Sequence, residues 1–173
     1  MCEGFAREDG HWDIEAEIKD VKAYAFENEW RGTVTPDQAL HRMLVRLTID
    51  DSFLILAAEA TIEDSPFESC PAIAPNLAGI VGLRIKGGWM QDVKKVFGGT
   101  LGCTHIFELL RTMATVAFQT ARGKSSVQRN LPAGQKPPLL NSCHMFDENR
   151  PEVRARWPEY FETLDNEQKP VER

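Results

Sequence analysis

Two short runs of the sequence carry residue types that do chemistry. Gly102-Cys103-Thr104-His105 opens the most helical stretch of the chain, and Cys143-His144 follows in a loop-like tail. Near neutral pH, cysteine and histidine act as nucleophiles, general bases and ligands of soft metal ions. Together the runs hold two of the four cysteines and two of the four histidines. This concentration predicts a functional site, although no motif specifies a substrate.

The helix that follows the first run is predicted to line a cleft, or else to pack beneath a loop. On a helix over 104–121, His105, Glu108 and Thr112 share one face, opposite a broad apolar arc. His105 and Glu108 are spaced to touch, and a carboxylate beside an imidazole suits a general base. An ordinary hydrogen bond within the first turn is the alternative. We take His105 and Glu108 as candidate catalytic residues, and Cys103 and Thr112 as candidates for substrate binding.

Further candidates lie outside that helix. His41 falls on the apolar side of a predicted strand, where it is either a satisfied core residue or a catalytic group. Tyr24 could orient or deprotonate a phenolic group, with a core aromatic role as the alternative. Arg46, opposite in phase to His41, could hold a substrate carboxylate through two hydrogen bonds, or simply be a surface residue. His144 is a further candidate for substrate binding.

Metal and cofactor binding are not expected. The side chains of Cys103, His105, Cys143 and His144 offer two sulfurs and two nitrogens, a set that tetrahedral zinc accepts. Their spacing matches no zinc motif, because the adjacent side chains of Cys143 and His144 point apart on a regular backbone. The sequence also has no P-loop, dinucleotide fingerprint or Gly-x-Ser-x-Gly elbow, so we expect no organic cofactor.

The composition argues against several classes of protein. The 173 residues carry a net charge of −6 with dispersed basic residues, which disfavours nucleic acid as a partner. No stretch is long and apolar enough to span a membrane, and no signal peptide is evident, so we expect a cytoplasmic protein without a membrane partner. In that compartment the cysteines are expected as free thiols.

Alternation of apolar and polar residues predicts an antiparallel sheet in the N-terminal half. One strand covers 12–18, after which Asp20 falls on the apolar face; either a β-bulge reverses the register near Asp20 or an ion pair is buried there. A second strand covers 39–49 and returns over 53–62 after the turn Asp50-Asp51-Ser52. The proline-containing segment 65–75 is predicted as a loop.

The second half of the chain predicts helices, at 76–83, 89–97 and 104–121. An extended segment is expected at 124–138, a short turn of helix at 157–164 and a frayed tail at 165–173. The predicted fold class is α+β, with a hairpin-rich N-terminal antiparallel sheet packed against C-terminal helices. We expect one domain over 1–173 with its core at about 10–145. Exposed edge strands favour a homodimer.

Short blocks spread over most of the chain resemble a known family. They run from about Gly10 to His144, and the Gly-Cys-Thr-His block with Glu108 is fairly specific. The blocks are Trp12-Asp13-Ile14-Glu15, Leu47-Thr48-Ile49-Asp50-Asp51, Cys70-Pro71, Gly79 through Leu83 with Gly88-Trp89, Gly102-Cys103-Thr104-His105 with Glu108, Ala117-Phe118-Gln119-Thr120 and Cys143-His144. The resemblance is to bacterial family 2889 of the domains of unknown function.

The resemblance implies a reaction class, through a loose association of this family with the catabolism of aromatic compounds. We expect a cofactor-independent lyase that releases formaldehyde from a small aromatic substrate, a hydroxymethyl-bearing phenolic dimer derived from lignin. Such a fragmentation needs a base for the hydroxyl proton, an acid or cation for the developing phenolate charge, and an apolar slot. Two alternatives stay open: a non-catalytic ligand-binding or accessory protein of a catabolic pathway, and a zinc-dependent hydrolase.

Overall fold

The computed structural model describes residues 1–124 and 135–162. The chain divides into two compact units, residues 1–125 and 126–173. The first unit contains the sheet and the long helix. In the second unit, the secondary structure of the described residues consists of short helices.

A four-stranded antiparallel sheet forms the framework of the first unit. In chain order, the strands of the unit are β1 (Cys2–Ala6), β2 (Trp12–Val21), β3 (Phe26–Asn28), β4 (Gly32–Val34), β5 (Ala39–Ile49) and β6 (Ile55–Asp64). The sheet has the order β1-β2-β5-β6, while β3 and β4 form a separate small hairpin in the connection from β2 to β5. The strand predicted at 39–49 is confirmed in both bounds.

The inner face of the sheet is apolar, as the alternation predicted. Along β2, Trp12, Ile14 and Ala16 are buried, and along β5, Leu47 and Ile49 are fully buried. The intervening residues point to the other face, since successive side chains of a strand alternate. Burial on one side therefore fixes the register of both strands.

The outer face of the sheet carries a ladder of ion pairs. Arg46 lies between Glu15 on β2 and Glu59 on β6, with N–O distances of 2.8 and 3.7 Å. Arg42 in the same way contacts Glu17 at 2.8 Å and Glu63 at 2.7 Å. Exposed ion pairs of this kind contribute about 0–1 kcal/mol each to the stability of the fold. The main effect of the ladder is therefore to place side chains of opposite charge beside one another on neighbouring strands.

Four helices follow the sheet in the described part of the first unit: 3-10 helices at Cys70–Ile80 and Gly99–Leu101, α1 at Trp89–Phe97 and α2 at Thr104–Lys124. The bounds predicted for α1 are confirmed, and α2 extends the predicted helix to Lys124. Along α2, Ile106, Leu110, Met113 and Ala117 are 0% exposed. They join the inner face of the sheet in one core, and α2 packs mainly on β2 and β1.

One local prediction was wrong, and another was confirmed only in part. The segment predicted as a loop at 65–75 is helical from Cys70 onward. Pro71 is compatible with this because it lies in the first turn, where a backbone N–H has no helical partner and its absence costs nothing. The helix predicted at 76–83 is the second half of that 3-10 helix and ends at Ile80.

The edge strand β1 is not predicted from the sequence. It pairs with β2, and its Gly4 leaves no room for a Cβ against Thr120 of α2.

The α+β fold class is confirmed: an antiparallel sheet is followed by helices. In the second unit, α3 covers Pro151–Arg156, and 3-10 helices cover His144–Phe146 and Pro158–Tyr160. The turn of helix predicted at 157–164 is confirmed only for the last of these. Most of the predicted extended segment 124–138, at 125–134, and the predicted tail 165–173 lie outside the described residues. A single domain over 1–173 stays a prediction.

Replacing Leu110 by Ala tests whether the packing of α2 carries the stability of the fold. Leu110 is 0% exposed, so the Leu110→Ala variant should lower the free energy of unfolding by about 2–5 kcal/mol. Urea denaturation followed by circular dichroism measures the change. Thr115→Ala, on the exposed side of the same helix, is the control and should change stability by less than about 0.5 kcal/mol. Equal effects of the two substitutions would contradict this account of the core.

Candidate functional site

Asp20 and His41 face each other where β2 ends and β5 begins. They are direct cross-strand partners, and the register shifts between Asp20 and Val21, immediately after this pair. Opposed residues of an antiparallel pair share a face, so both side chains lie on the side that α2 covers. The predicted bulge is therefore present, and it comes one step too late to turn Asp20 away from the inner face. The other alternative, a buried ion pair, is not what the structure shows, because the side chain of Asp20 is 46% exposed and its partner is His41.

The Asp20 carboxylate is bonded to His41 in two ways. The backbone N–H of His41 donates to Oδ1 of Asp20 at 2.6 Å, and Nδ1 of the His41 ring lies 3.1 and 3.0 Å from the two carboxylate oxygens. An ionised carboxylate only accepts hydrogen bonds, so Nδ1 carries the proton. In the neutral ring, the lone pair is then on Nε2. This arrangement fixes the His41 tautomer and orients the ring.

His105 completes the cluster from the first turn of α2. Its ring lies against that of His41, with centroids 3.8 Å apart and the planes inclined by 32°. On its other side, Nδ1 of His105 lies 3.9 Å from Sγ of Cys103, which in turn lies 3.8 Å from Sδ of the buried Met43. The imidazole pair therefore stands between a carboxylate and a sulfur-lined part of the core.

Burial and charge move the pKa values of two members of the cluster. For His105, partial burial first and the neighbouring His41 second lower the pKa below its ordinary value, against a smaller opposite effect of the Asp20 carboxylate. For Asp20, burial alone would raise the pKa. The hydrogen bonds from the ring and the backbone of His41 outweigh burial, and the pKa of Asp20 is lowered.

A close backbone approach sets the start of α2. The first helical hydrogen bond runs from the N–H of Phe107 to the carbonyl of Cys103, so that Cys103 is the N-cap. Just before it, a Cβ on Gly102 would collide with the backbone carbonyl of Phe97, where α1 ends. The glycine of the Gly-Cys-Thr-His run thus lets the chain turn tightly from α1 into α2, which carries His105 to the sheet.

The predicted partner of His105 was Glu108, and the structure places that carboxylate elsewhere. Glu108 is 60% exposed and lies 3.9 Å from Arg111. Within the described residues, no hydrogen bond joins it to His105. Thr112, one turn further on, is also exposed. The carboxylate of the site is instead Asp20, on the sheet.

Tyr24 is an exposed residue, and Arg46 lies on the outer face of the sheet. Tyr24 is 62% exposed, with Nζ of Lys22 5.7 Å from its ring centroid. Arg46 belongs to the ion-pair ladder on the outer face, where it lines a groove of about 250 Å³ together with Leu44 and Glu59. That face is opposite the one that carries His41. His144 lies in the second unit, beside the guanidinium of Arg150.

Of the predicted site residues, the structure brings His41, His105 and Cys103 together. The prediction missed Asp20. Its signal was present in the sequence, because Asp20 and His41 are the polar interruptions of two otherwise apolar strand faces. Polar groups that share an apolar face are expected to pair. Their pairing depends on the register of β2 against β5, which is set by contacts between distant parts of the chain.

Three side chains of the cluster can hold a cation. Asp20, His41 and His105 each offer one ligand atom, and these atoms all lie within 4.8 Å of one another. The zinc set considered from sequence is different, since two of its members, Cys143 and His144, belong to the second unit. The four cysteines Cys2, Cys70, Cys103 and Cys143 carry free thiols.

These features define an α+β protein with a carboxylate–imidazole–imidazole cluster between sheet and helix. Residues 1–119 match the family described as "Protein of unknown function (DUF2889)", and the chain belongs to that family. The matched residues include all of the cluster but not Cys143-His144, which the sequence resemblance had included. Comparison with curated proteins and with solved structures gives no match. Among the described residues, no helix has the length and apolar character needed to cross a membrane.

Histidine titration tests the electrostatics of the cluster. In an NMR titration, His105 should show a pKa below the ordinary value of 6.5. The variant His41→Gln should raise that pKa, because it removes a neighbouring positive charge and opens the ring of His105 to solvent. His11, which lies beside Asp9 on the surface, is the internal reference, and its resonances should not respond to the substitution. A His105 pKa that stays the same or falls in His41→Gln would contradict the geometry.

A second test concerns the turn before α2. Gly102→Ala should lower the free energy of unfolding by about 1–3 kcal/mol, because the added methyl group collides with the Phe97 carbonyl. Gly87→Ala is the matched control, since a Cβ there meets no atom within 4 Å. Chemical denaturation of both variants measures the difference. If Gly102→Ala is as stable as Gly87→Ala, close packing does not determine the start of α2.

Proposed function

We propose that this chain is a small cytoplasmic lyase that releases formaldehyde from a hydroxymethyl-bearing phenolic compound, with Asp20, His41 and His105 as its reaction centre. One observation supports this most: the Asp20 carboxylate fixes the tautomer of His41, whose Nε2 then offers a lone pair beside a second imidazole. An oriented imidazole with a carboxylate behind it is an effective general base. The phenolic substrate rests on the family resemblance alone.

The proposed reaction breaks one carbon–carbon bond, and the protein contributes only proton transfers to it. Nε2 of His41 takes the proton of the substrate hydroxyl, the oxygen forms a C=O double bond, and the bond between the hydroxymethyl carbon and its neighbour breaks. The electron pair of that bond stays on the neighbouring carbon, where the attached aromatic ring delocalises it, and formaldehyde leaves. The proton held by His41 then returns to the carbon that lost the group, so that no electrons enter or leave.

The other members of the cluster have separate roles in this proposal. In this proposal the His105 ring, 3.8 Å from that of His41, donates a hydrogen bond to the hydroxymethyl oxygen, on which negative charge develops as its proton leaves. Asp20 acts through His41 and is a positioning residue. The catalytic pair of His105 with Glu108, expected from the sequence, is thus replaced by His41 with His105.

Part of the cluster is accessible to a small molecule. The side chain of Asp20 is 46% exposed and that of His41 is 12% exposed. The four free thiols are typical of a reducing compartment.

Purified protein should release formaldehyde from a phenolic dimer that carries a hydroxymethyl group, measured by trapping the aldehyde and by chromatography of the aromatic product. His41→Gln should lower kcat by about 100-fold or more, because it removes the base. Asp20→Asn should lower kcat with little change in KM, since it acts on the orientation of His41. The matched control is His11→Gln, which removes a histidine that also lies beside an aspartate, Asp9, but outside the cluster.

Two results would contradict the proposal. If the wild-type protein binds the dimer saturably and yields no product, the chain is a ligand-binding or accessory protein. If it yields product and His41→Gln is as active as His11→Gln, the reaction takes place at another site.

A further inference from the structure

We propose that Asp20, His41 and His105 bind one divalent transition-metal ion of the zinc type. Their ligand atoms all lie within 4.8 Å of one another. With metal–ligand bonds of about 2.0–2.2 Å in a tetrahedral site, donor atoms are about 3.4 Å apart. Small rotations of the three side chains therefore bring their donor atoms around a shared ion.

The donor set selects the class of ion. Imidazole nitrogens bind zinc and its neighbours in the first transition row, whereas magnesium and calcium prefer sites made of oxygen. Two imidazoles and one carboxylate leave a fourth position for water, as in open zinc sites. The Cys103 thiol does not belong to the group of converging atoms, so we expect a set of nitrogen and oxygen ligands.

The Nε2 atoms of His41 and His105, which have no hydrogen-bond partner among the described residues, also favour binding of a cation. The hydrogen bonds of His41 to Asp20 engage its Nδ1, and the sulfur contact of His105 engages its own Nδ1. Among the described residues, neither Nε2 has a hydrogen-bond partner. Two imidazole rings packed at 3.8 Å repel each other when both are protonated, whereas a cation bound between them keeps both rings neutral.

The site is held in place before any ion arrives. The backbone N–H of His41 donates to Asp20 and orients its carboxylate. His105 is fixed by the first turn of α2, whose next residue, Ile106, is 0% exposed. Such supporting contacts strengthen metal binding because less side-chain freedom is lost.

The metal site does not depend on the proposed reaction, but metal binding would affect that reaction. A neutral imidazole has one lone pair, and a bound ion occupies it, whichever nitrogen of His41 coordinates. The ion-loaded protein then has no base at His41. Zinc should therefore inhibit formaldehyde release, and a chelator should restore it.

Calorimetric titration of chelator-treated full-length protein with Zn²⁺ tests the site. We expect one ion per chain, with affinity lowered by at least about tenfold in His41→Gln, His105→Gln and Asp20→Asn. His11→Gln should bind as the wild type does. Co²⁺ should bind without the intense near-ultraviolet absorption of a thiolate ligand. Circular dichroism checks that each variant is folded.

A second measurement uses the wild-type protein only, so that it does not depend on the folding of variants. Diethyl pyrocarbonate modifies accessible histidines, and mass spectrometry locates the modified residues. Zn²⁺ should protect His41 and His105 and leave His11 reactive.

Absence of binding, binding that survives in His41→Gln and His105→Gln, or a thiolate band with Co²⁺ would each overturn the proposed donor set. Protein that binds Zn²⁺ as expected but never releases formaldehyde would remove the proposed function and leave the metal site standing. Faster release with Zn²⁺ bound would keep the site and disprove the role of His41 as the base.

Discussion

The packing of α2 on the inner face of the sheet is the interaction on which the rest of the structure depends. Ile106, Leu110 and Met113 of the helix share one core with Ile14 and Leu47 of the sheet, and all five are fully buried. Each such side chain contributes about 1.5–3 kcal/mol through burial. Because this contact fixes the helix relative to β2 and β5, it also fixes the distance between the rings of His105 and His41.

The strands and helices that bury one face could be predicted from the sequence, because their apolar residues repeat at a regular spacing. The alternation of Trp12, Ile14 and Ala16 gave β2, the apolar positions from Met43 to Ile49 gave β5, and the arc from Ile106 to Ala117 gave α2. In each case one face must leave water, and the spacing of apolar residues follows from the geometry of a strand or a helix. The candidate residues His41, His105 and Cys103 could be selected by chemical type within those elements.

The rest depends on contacts between distant parts of the chain. Glu108 was chosen as the partner of His105 because helix spacing is visible in sequence, whereas the pairing of Asp20 with His41 requires the register of two strands. The edge strand β1 has a weak pattern, since it has little side-chain burial of its own and is held by pairing with β2 and by the close crossing of Gly4 and Thr120. The sequence placed Arg46 on the correct face of the sheet. Its ion pairs with Glu15 and Glu59 could not be predicted, because they depend on the register of the neighbouring strands.

The position of His105 in the first turn of α2 divides the cluster into parts of unequal rigidity. Asp20 and His41 are tied by the sheet, whereas helix ends open locally at a much smaller free-energy cost than whole domains unfold. Fraying of a single turn would withdraw one imidazole and leave the carboxylate and the other ring in place. The integrity of the cluster is therefore governed by the opening equilibrium of one helix end, and the tight turn at Gly102 restrains that opening.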